Sequence, residues 1–293
     1  MNLGIALGGG GAKGLAHIGI LEALEQNGIK PKFVAGTSIG SIIGAIYCLY
    51  GTAKGLQEKA KQMIESEEFK HFQLDRFYTN DENVFERFKK EVFEKFFFGQ
   101  LLFKKSHVKI EAAKKLFNGL FSNKTFADLK IAFACNALDI QSGEETVFTS
   151  GPITDAVWPS CAIPGILPPF VKDKKIFVDG GVVDNVPIEP VKRIGAKIVL
   201  AVYLGDRPKF SEEPDTGYKI TQRSLSFMRY HFDQRILRLA DFVLNPEVAK
   251  FHWADFSAMD ELVQKGREAV IKNIKEIEKL ISFWCQLKKL IRR

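Results

Sequence analysis

The sequence predicts an α/β protein with a doubly wound sheet, and three observations point there. Short apolar runs alternate with segments of helical period through the first part of the chain, the pattern of strands joined by crossover helices. The first run passes directly into a glycine loop that opens a helix. A length of 293 residues, 46% of them hydrophobic and 26% charged, suffices for the large core that such a sheet needs.

In chain order, Leu3 to Leu7 is the first expected strand and Leu15 to Asn27 the helix behind its glycine loop. Phe33 to Ala35 is the second strand, followed by helices over Ile39 to Tyr50 and Leu56 to Glu65. Glu68 to Phe121 breaks the alternation: it holds twelve of the 25 phenylalanines, including Phe96-Phe97-Phe98, with many lysines and no clear strand. Within it, Val108 to Leu120 has a helical period. Such an insertion fits either a lid or acyl-binding wall, or ordinary aromatic core packing. Further strands are expected at Ile131 to Ala137, Glu145 to Thr149, Ile176 to Val178, Ile198 to Val202 and Phe242 to Leu244. The charged Gly205 to Gly217 stretch reads as a surface loop, and a last helical stretch begins near Asp255.

The formal charge of +7 is concentrated at the end of the chain, where Lys272 to Arg293 carries seven basic residues against two acidic ones. Those charges interleave with Ile274, Ile277, Leu280, Ile281, Trp284, Leu287 and Leu290, an apolar stripe with a basic back. Two readings fit: a helix docked on the core with a solvated face, or an interfacial helix at an anionic membrane surface. No recognition motif accompanies the basic tail, so nucleic acid is not an expected partner. No segment has the roughly 18 apolar residues needed to span a bilayer. Met1 to Leu7 lacks a basic leader and reads as a strand, not a signal peptide. The four cysteines, Cys48, Cys135, Cys161 and Cys285, form no C-x-x-C pair, which argues against a zinc or redox motif. A cytoplasmic location with reduced thiols is the expectation, peripheral membrane contact staying open.

Chemistry concentrates in three places. Gly36-Thr37-Ser38-Ile39-Gly40 is a G-x-S-x-G between an expected strand and helix, the setting in which a strained turn projects a serine hydroxyl above the sheet edge. Glycines at 36 and 40 remove Cβ atoms that such a turn would crowd. Gly8-Gly9-Gly10-Gly11-Ala12-Lys13-Gly14 matches G-x-G-x-x-G, but the second strand ends in Gly36-Thr37-Ser38 with no carboxylate for a ribose. Gly14 after Lys13 also breaks a Walker loop. Successive glycine amides at a helix N-terminus favour negative charge, and beside a serine they make an oxyanion hole. The five histidines carry no recognisable motif. The other base is acidic: Lys175-Ile176-Phe177-Val178-Asp179-Gly180-Gly181 ends a strand in a carboxylate, which would set Asp179 at the sheet edge that carries Ser38.

The ordered set G-G-G-x-K-G, G-x-S-x-G and D-G-G resembles the patatin-like phospholipases. Ser160-Cys161-Ala162-Ile163-Pro164, Pro168-Pro169, Asn185 and Pro187 extend the resemblance over about residues 3 to 203. The resemblance implies a three-layer α/β/α fold with a mainly parallel sheet, related to the α/β hydrolases. It further implies a Ser–Asp dyad that hydrolyses fatty acyl esters of (lyso)phospholipids or related lipids. Ser38 would then be the nucleophile, Asp179 the base, and Gly9, Gly10 and Gly11 the oxyanion donors, with Lys13, Gly14, Gly36, Gly40, Gly180 and Gly181 supporting the motifs. Gly8 stands where plant patatins have an acidic residue. Residues 3–203 would form the catalytic core, with an insertion at about 68–121, and residues 204–293 a helical extension packed on it. The expected partner is a lipid or acyl ester, with no metal or organic cofactor. Oligomeric state stays open, homo-oligomers included. A lipid-binding or regulatory protein with a little-used site is the alternative.

Overall fold

The computed structural model describes residues 2–78, 99, 101–210 and 213–291. In chain order it contains β1 (Leu3–Leu7), α1 (Ala16–Gln26), β2 (Phe33–Gly36), α2 (Ile39–Tyr50), α3 (Leu56–Glu65), α4 (Glu67–Lys70) and α5 (Ile110–Phe121). Then follow β3 (Ala132–Asp139), β4 (Glu145–Phe148), α6 (Thr154–Cys161), β5 (Phe170–Lys172), β6 (Lys175–Asp179), α7 (Ile188–Arg193), β7 (Ile198–Val202), α8 (Gly217–Leu237), β8 (Phe242–Leu244) and α9 (Met259–Ile291).

The strands form one sheet in the order β5-β6-β3-β2-β1-β7-β8, with β4 paired to β3. From β3 through β8 the strands run parallel; β4, β5 and β6 are antiparallel to their neighbours. Side chains alternate between two faces, as the pleat demands. Leu3, Ile5, Leu7, Val34, Ile198, Leu200 and Val202 join the larger core, with Leu15, Ile43, Val157 and Val263 from the helices. Ala6, Ala35, Ala134 and Ala201 face the other way, toward Ile188 and Val191 of α7. The small residues on that face let α7 lie close: a Cβ on Gly4 would stand 2.5 Å from that of Ala196. The result is a three-layer α/β/α architecture.

The apolar stripe of the terminal helix is docked as far as Trp284. Ile277 is fully buried, and Ile274, Leu280, Ile281 and Trp284 pack against the larger core. Closer to its start, Gly266 touches the backbone of Ala16 and Gly19 of α1 touches that of Val263, so the two helices meet backbone to backbone. Among the described residues, no helix is long and apolar enough to cross a membrane. Of the phenylalanine-rich insertion, Phe72, Phe117 and Phe121 are buried in the core. The stretch containing Phe96-Phe97-Phe98, on which the lid reading rests, lies outside the described residues.

Candidate active site

Ser38 sits between β2 and α2 at φ 54° and ψ −126°, a backbone conformation that costs a side-chain-bearing residue on the order of 1–3 kcal/mol. Several contacts hold it there. Its amide donates to Ser160 Oγ at 3.1 Å, and its carbonyl accepts from Ser41 Oγ at 2.6 Å and from Cys161 Sγ at 3.2 Å. A side chain on Gly36 would collide with the backbone of Gly40, and one on Gly40 with that of Leu7, so the turn closes only with glycine at both ends.

The glycine loop after β1 meets this turn because β1 and β2 are neighbours. A Cβ on Gly9 would lie 3.2 Å from that of Ser38. Gly11 has φ +58° and presses on the carbonyl of Trp253, which accepts the Ala12 amide at 2.6 Å. The amides of Gly9, Gly10 and Gly11, the expected donors, differ in their surroundings. Gly9 already donates its amide to the Asn185 carbonyl at 3.0 Å. The amides of Gly10 and Gly11 meet no acceptor among the described residues. Below the loop, His17 Nε2 lies 2.8 Å from the Gly8 carbonyl, and burial pushes its pKa down to about 4, so the ring stays neutral.

Asp179 reaches the same edge by an indirect route. The last rung between β2 and β3 is Gly36 with Cys135, but β3 continues past it to Asp139. β6 pairs antiparallel with this overhang and brings Asp179 opposite Ala137, two residues beyond Cys135. An antiparallel strand ending anywhere lower would deliver its last residue into the sheet and away from Ser38. The Asp179 amide donates to the Ala162 carbonyl at 2.9 Å, so the end of α6 holds both Ser38 and Asp179. Burial pushes the Asp179 carboxyl up to about 6. A hydrogen bond from the Ser38 side chain, the Gly181 amide at 2.7 Å and the charge of Arg229 pull the other way.

Ser38, Asp179 and the three glycines line one cavity of about 270 Å³, together with Ile163, Ile166, Val182, Asn185, Arg229 and Trp253. Among the described residues no histidine lines it. Gly14, Gly180 and Lys13 serve at its margin: Gly14 makes room for Ile39, Gly180 for Asn136, and Lys13 lines an adjoining cavity. Behind it, Thr37 Oγ1 donates to Asn136 Oδ1 at 2.7 Å, and Asn136 Nδ2 donates to the Asp184 carbonyl at 2.9 Å. That tie joins the end of β2 to the turn after Asp179.

The sequence model of the family described as patatin-like phospholipase matches residues 5–192, more than half of the chain. The chain belongs to this family. It is 30% identical over 232 residues to "Lysophospholipase NTE1" of Phaeosphaeria nodorum, covering 75% of this chain and 13% of that protein. Against the protein of the same name in Pyricularia oryzae it is 31% identical over 208 residues, covering 70% and 12%. The chain therefore spans about one eighth of the curated relatives it matches. Among solved structures it matches VipD from Legionella pneumophila with a TM-score of 0.48 and 14% identity, over 94% of this chain and 66% of that one.

The patatin-like motifs did not lead to Arg229 and Trp253, which lie beyond the matched residues. Nothing in the sequence around either one marks it. Ser160 and Cys161 were visible as part of the family's serine-to-proline block, but their grip on the Ser38 backbone was not.

Proposed function

We propose that this chain is a serine acyl hydrolase, a carboxylic ester hydrolase that cleaves fatty acyl esters of (lyso)phospholipids or related lipids. The observation that carries the reading is the meeting of a strained Ser38, a buried Asp179 and unpaired glycine amides in one cavity. Asp179 takes the hydroxyl proton of Ser38, and the resulting alkoxide attacks the ester carbonyl. The Gly10 and Gly11 amides stabilise the tetrahedral oxyanion, each such donor being worth on the order of 10²- to 10³-fold in rate. Asp179 returns the serine proton to the departing alcohol oxygen as the acyl-enzyme forms. It then deprotonates a water that attacks the acyl-enzyme, and the proton passes back to Ser38 Oγ as the fatty acid leaves. A carboxyl at about 6 is a stronger base than an ordinary aspartate, yet still ionised at neutral pH. The names of the fungal relatives favour lysophospholipids as substrates.

The core of this enzyme is taken as residues 3–203. The extension from 204 contributes the Trp253 carbonyl under the glycine loop and Arg229 in the cavity wall. A panel of esters varying acyl chain and head group, run on the wild type and Ser38→Ala, tests the reading. Turnover by the wild type that vanishes in Ser38→Ala is expected; equal turnover by both sinks it, and fatty acid retention without turnover favours the lipid-binding alternative.

Peripheral contact with an anionic membrane belongs to the same proposal, and α8 supports it best. Leu225, Met228 and Phe232 are exposed along one stripe of α8, the helix that also carries Arg223 and Arg235 and sets Arg229 in the cavity wall. Binding to anionic vesicles should weaken with salt and with Met228→Asp or Phe232→Asp. Deleting residues 283–293 tests the basic terminus separately, and binding unchanged by it would confine the contact to α8.

A further inference from the structure

A second cavity, of about 300 Å³, adjoins the Ser38 cavity and shares Gly9, Gly10, Asn185, Arg229 and Trp253 with it. The two meet across the glycine loop. Its remaining walls mix apolar Leu204 and Pro208 with Lys13, Tyr203, Tyr230 and the acidic Asp206 and Asp233. Arg229 stands at the junction, since it lines both.

Arg229 is built into this position. Its Nε donates to Asp233 Oδ1 at 3.2 Å, and Asp233, only 4% exposed, is also held by the side chains of Tyr203 and Asn185. Asn185 in turn takes the Gly9 amide, so the guanidinium is tied to the loop that flanks Ser38. One edge of the fork is thus used. Its Nη groups meet no acceptor among the described residues, leaving two donors in the planar arrangement that matches a phosphate. Lys13 adds a half-buried cation on the same cavity, with Asp206 as its nearest counter-charge.

We propose that this cavity is a subsite for a phosphate-bearing head group, with Arg229 as the residue that binds the phosphate. In a glycerol lipid the phosphoester lies a few bonds from the acyl ester along the same backbone. With an ester carbonyl at Ser38, a phosphate a few bonds away has the adjoining cavity, whose wall Arg229 shares, within reach. Arg229 lies outside residues 5–192, so the family motifs do not supply this contact. The proposal rests on the acyl hydrolase reading for which lipid enters, but its test does not depend on turnover.

The full chain carrying Ser38→Ala is titrated with a lysophospholipid, with the monoacylglycerol of the same chain length, and with inorganic phosphate, each lipid below its critical micelle concentration. The lysophospholipid should bind more tightly than the monoacylglycerol. Adding Arg229→Met should cut that preference by about 10- to 100-fold, the scale of a charge-assisted hydrogen-bonded contact. Arg229→Lys, which keeps the charge and loses the fork, should retain part of it, and this variant decides the matter if the methionine variant does not fold. A preference unchanged within about twofold in the variants overturns the subsite. Tighter binding of inorganic phosphate than of lysophospholipid also overturns it, as a free-anion site. An inactive wild type whose Ser38→Ala form still shows the Arg229-dependent preference would sink the hydrolase reading and leave the subsite standing; an active wild type without the preference would do the reverse.

Discussion

The two halves of the site reach one edge of the sheet by different physics. On the Ser38 side, neighbouring parallel strands β1 and β2 end together, and each passes straight into a glycine turn and a helix. Local rules suffice there: a strand, a G-x-S-x-G and a helix dictate where the serine hydroxyl goes. On the Asp179 side the carboxylate ends an antiparallel strand, which is correctly placed only because β3 overhangs its parallel partner. Its position therefore depends on pairings made across long stretches of chain. The difference teaches that the position of the proposed nucleophile can be written in five residues, while that of its proposed base needs the sheet. The two sides are joined by α6, whose last turn grips Ser38 through Ser160 and Cys161 and receives the Asp179 amide just beyond, at Ala162.

That contrast can be broken at each side and at the joint. The largest effect belongs to the local side: Ser38→Ala should lower ester turnover by at least about 10³-fold, measured on purified protein with a chromogenic ester. At the joint, Ser160→Ala removes the acceptor for the strained serine's amide and should cost about tenfold in kcat, with KM little changed. If Asp179 is the base, the pH profile of kcat/KM should fall on the acid side with an apparent pKa near 6, since that carboxyl must be ionised to take the serine proton. Smallest are the histidines. His231→Ala and His252→Ala should each leave turnover within about twofold, since neither lines the Ser38 cavity. An essential histidine would replace the dyad with a triad and dissolve the comparison.

Legibility in the sequence followed the same division. β1, β2, β7, β8 and the helix after Ser38 lie within one residue of where apolar runs and glycines predict them. β5 was not anticipated: it is three residues long and follows Pro168-Pro169. α6 was not anticipated either, because Pro159 inside it reads as a breaker. α8 escaped for a different reason. Of its 21 residues only Asp233 and Leu237 are buried, so its apolar residues give no core-facing period. The site residues that depend on such elements, Arg229 above all, were invisible for the same reason. For the terminal helix the apolar stripe was legible but ambiguous, and its packing against α1 and the core resolves it as docked as far as Trp284.

The central claim is that buried Asp179, without a histidine, activates Ser38, and Asp179→Asn tests it most directly when rate and stability are read on the same protein. A carboxyl raised from 3.8 to about 6 in the folded state holds its proton there between those values while the unfolded chain does not. Its contribution to stability is therefore full below about pH 4 and lost as pH rises through 6, a loss of roughly 3 kcal/mol by pH 8. Asparagine escapes that loss. The variant should therefore unfold at a higher temperature than the wild type at pH 8, with the difference vanishing near pH 4, while ester turnover drops by about 10²- to 10⁴-fold. Turnover kept within about threefold of wild type in a folded Asp179→Asn protein would contradict the account.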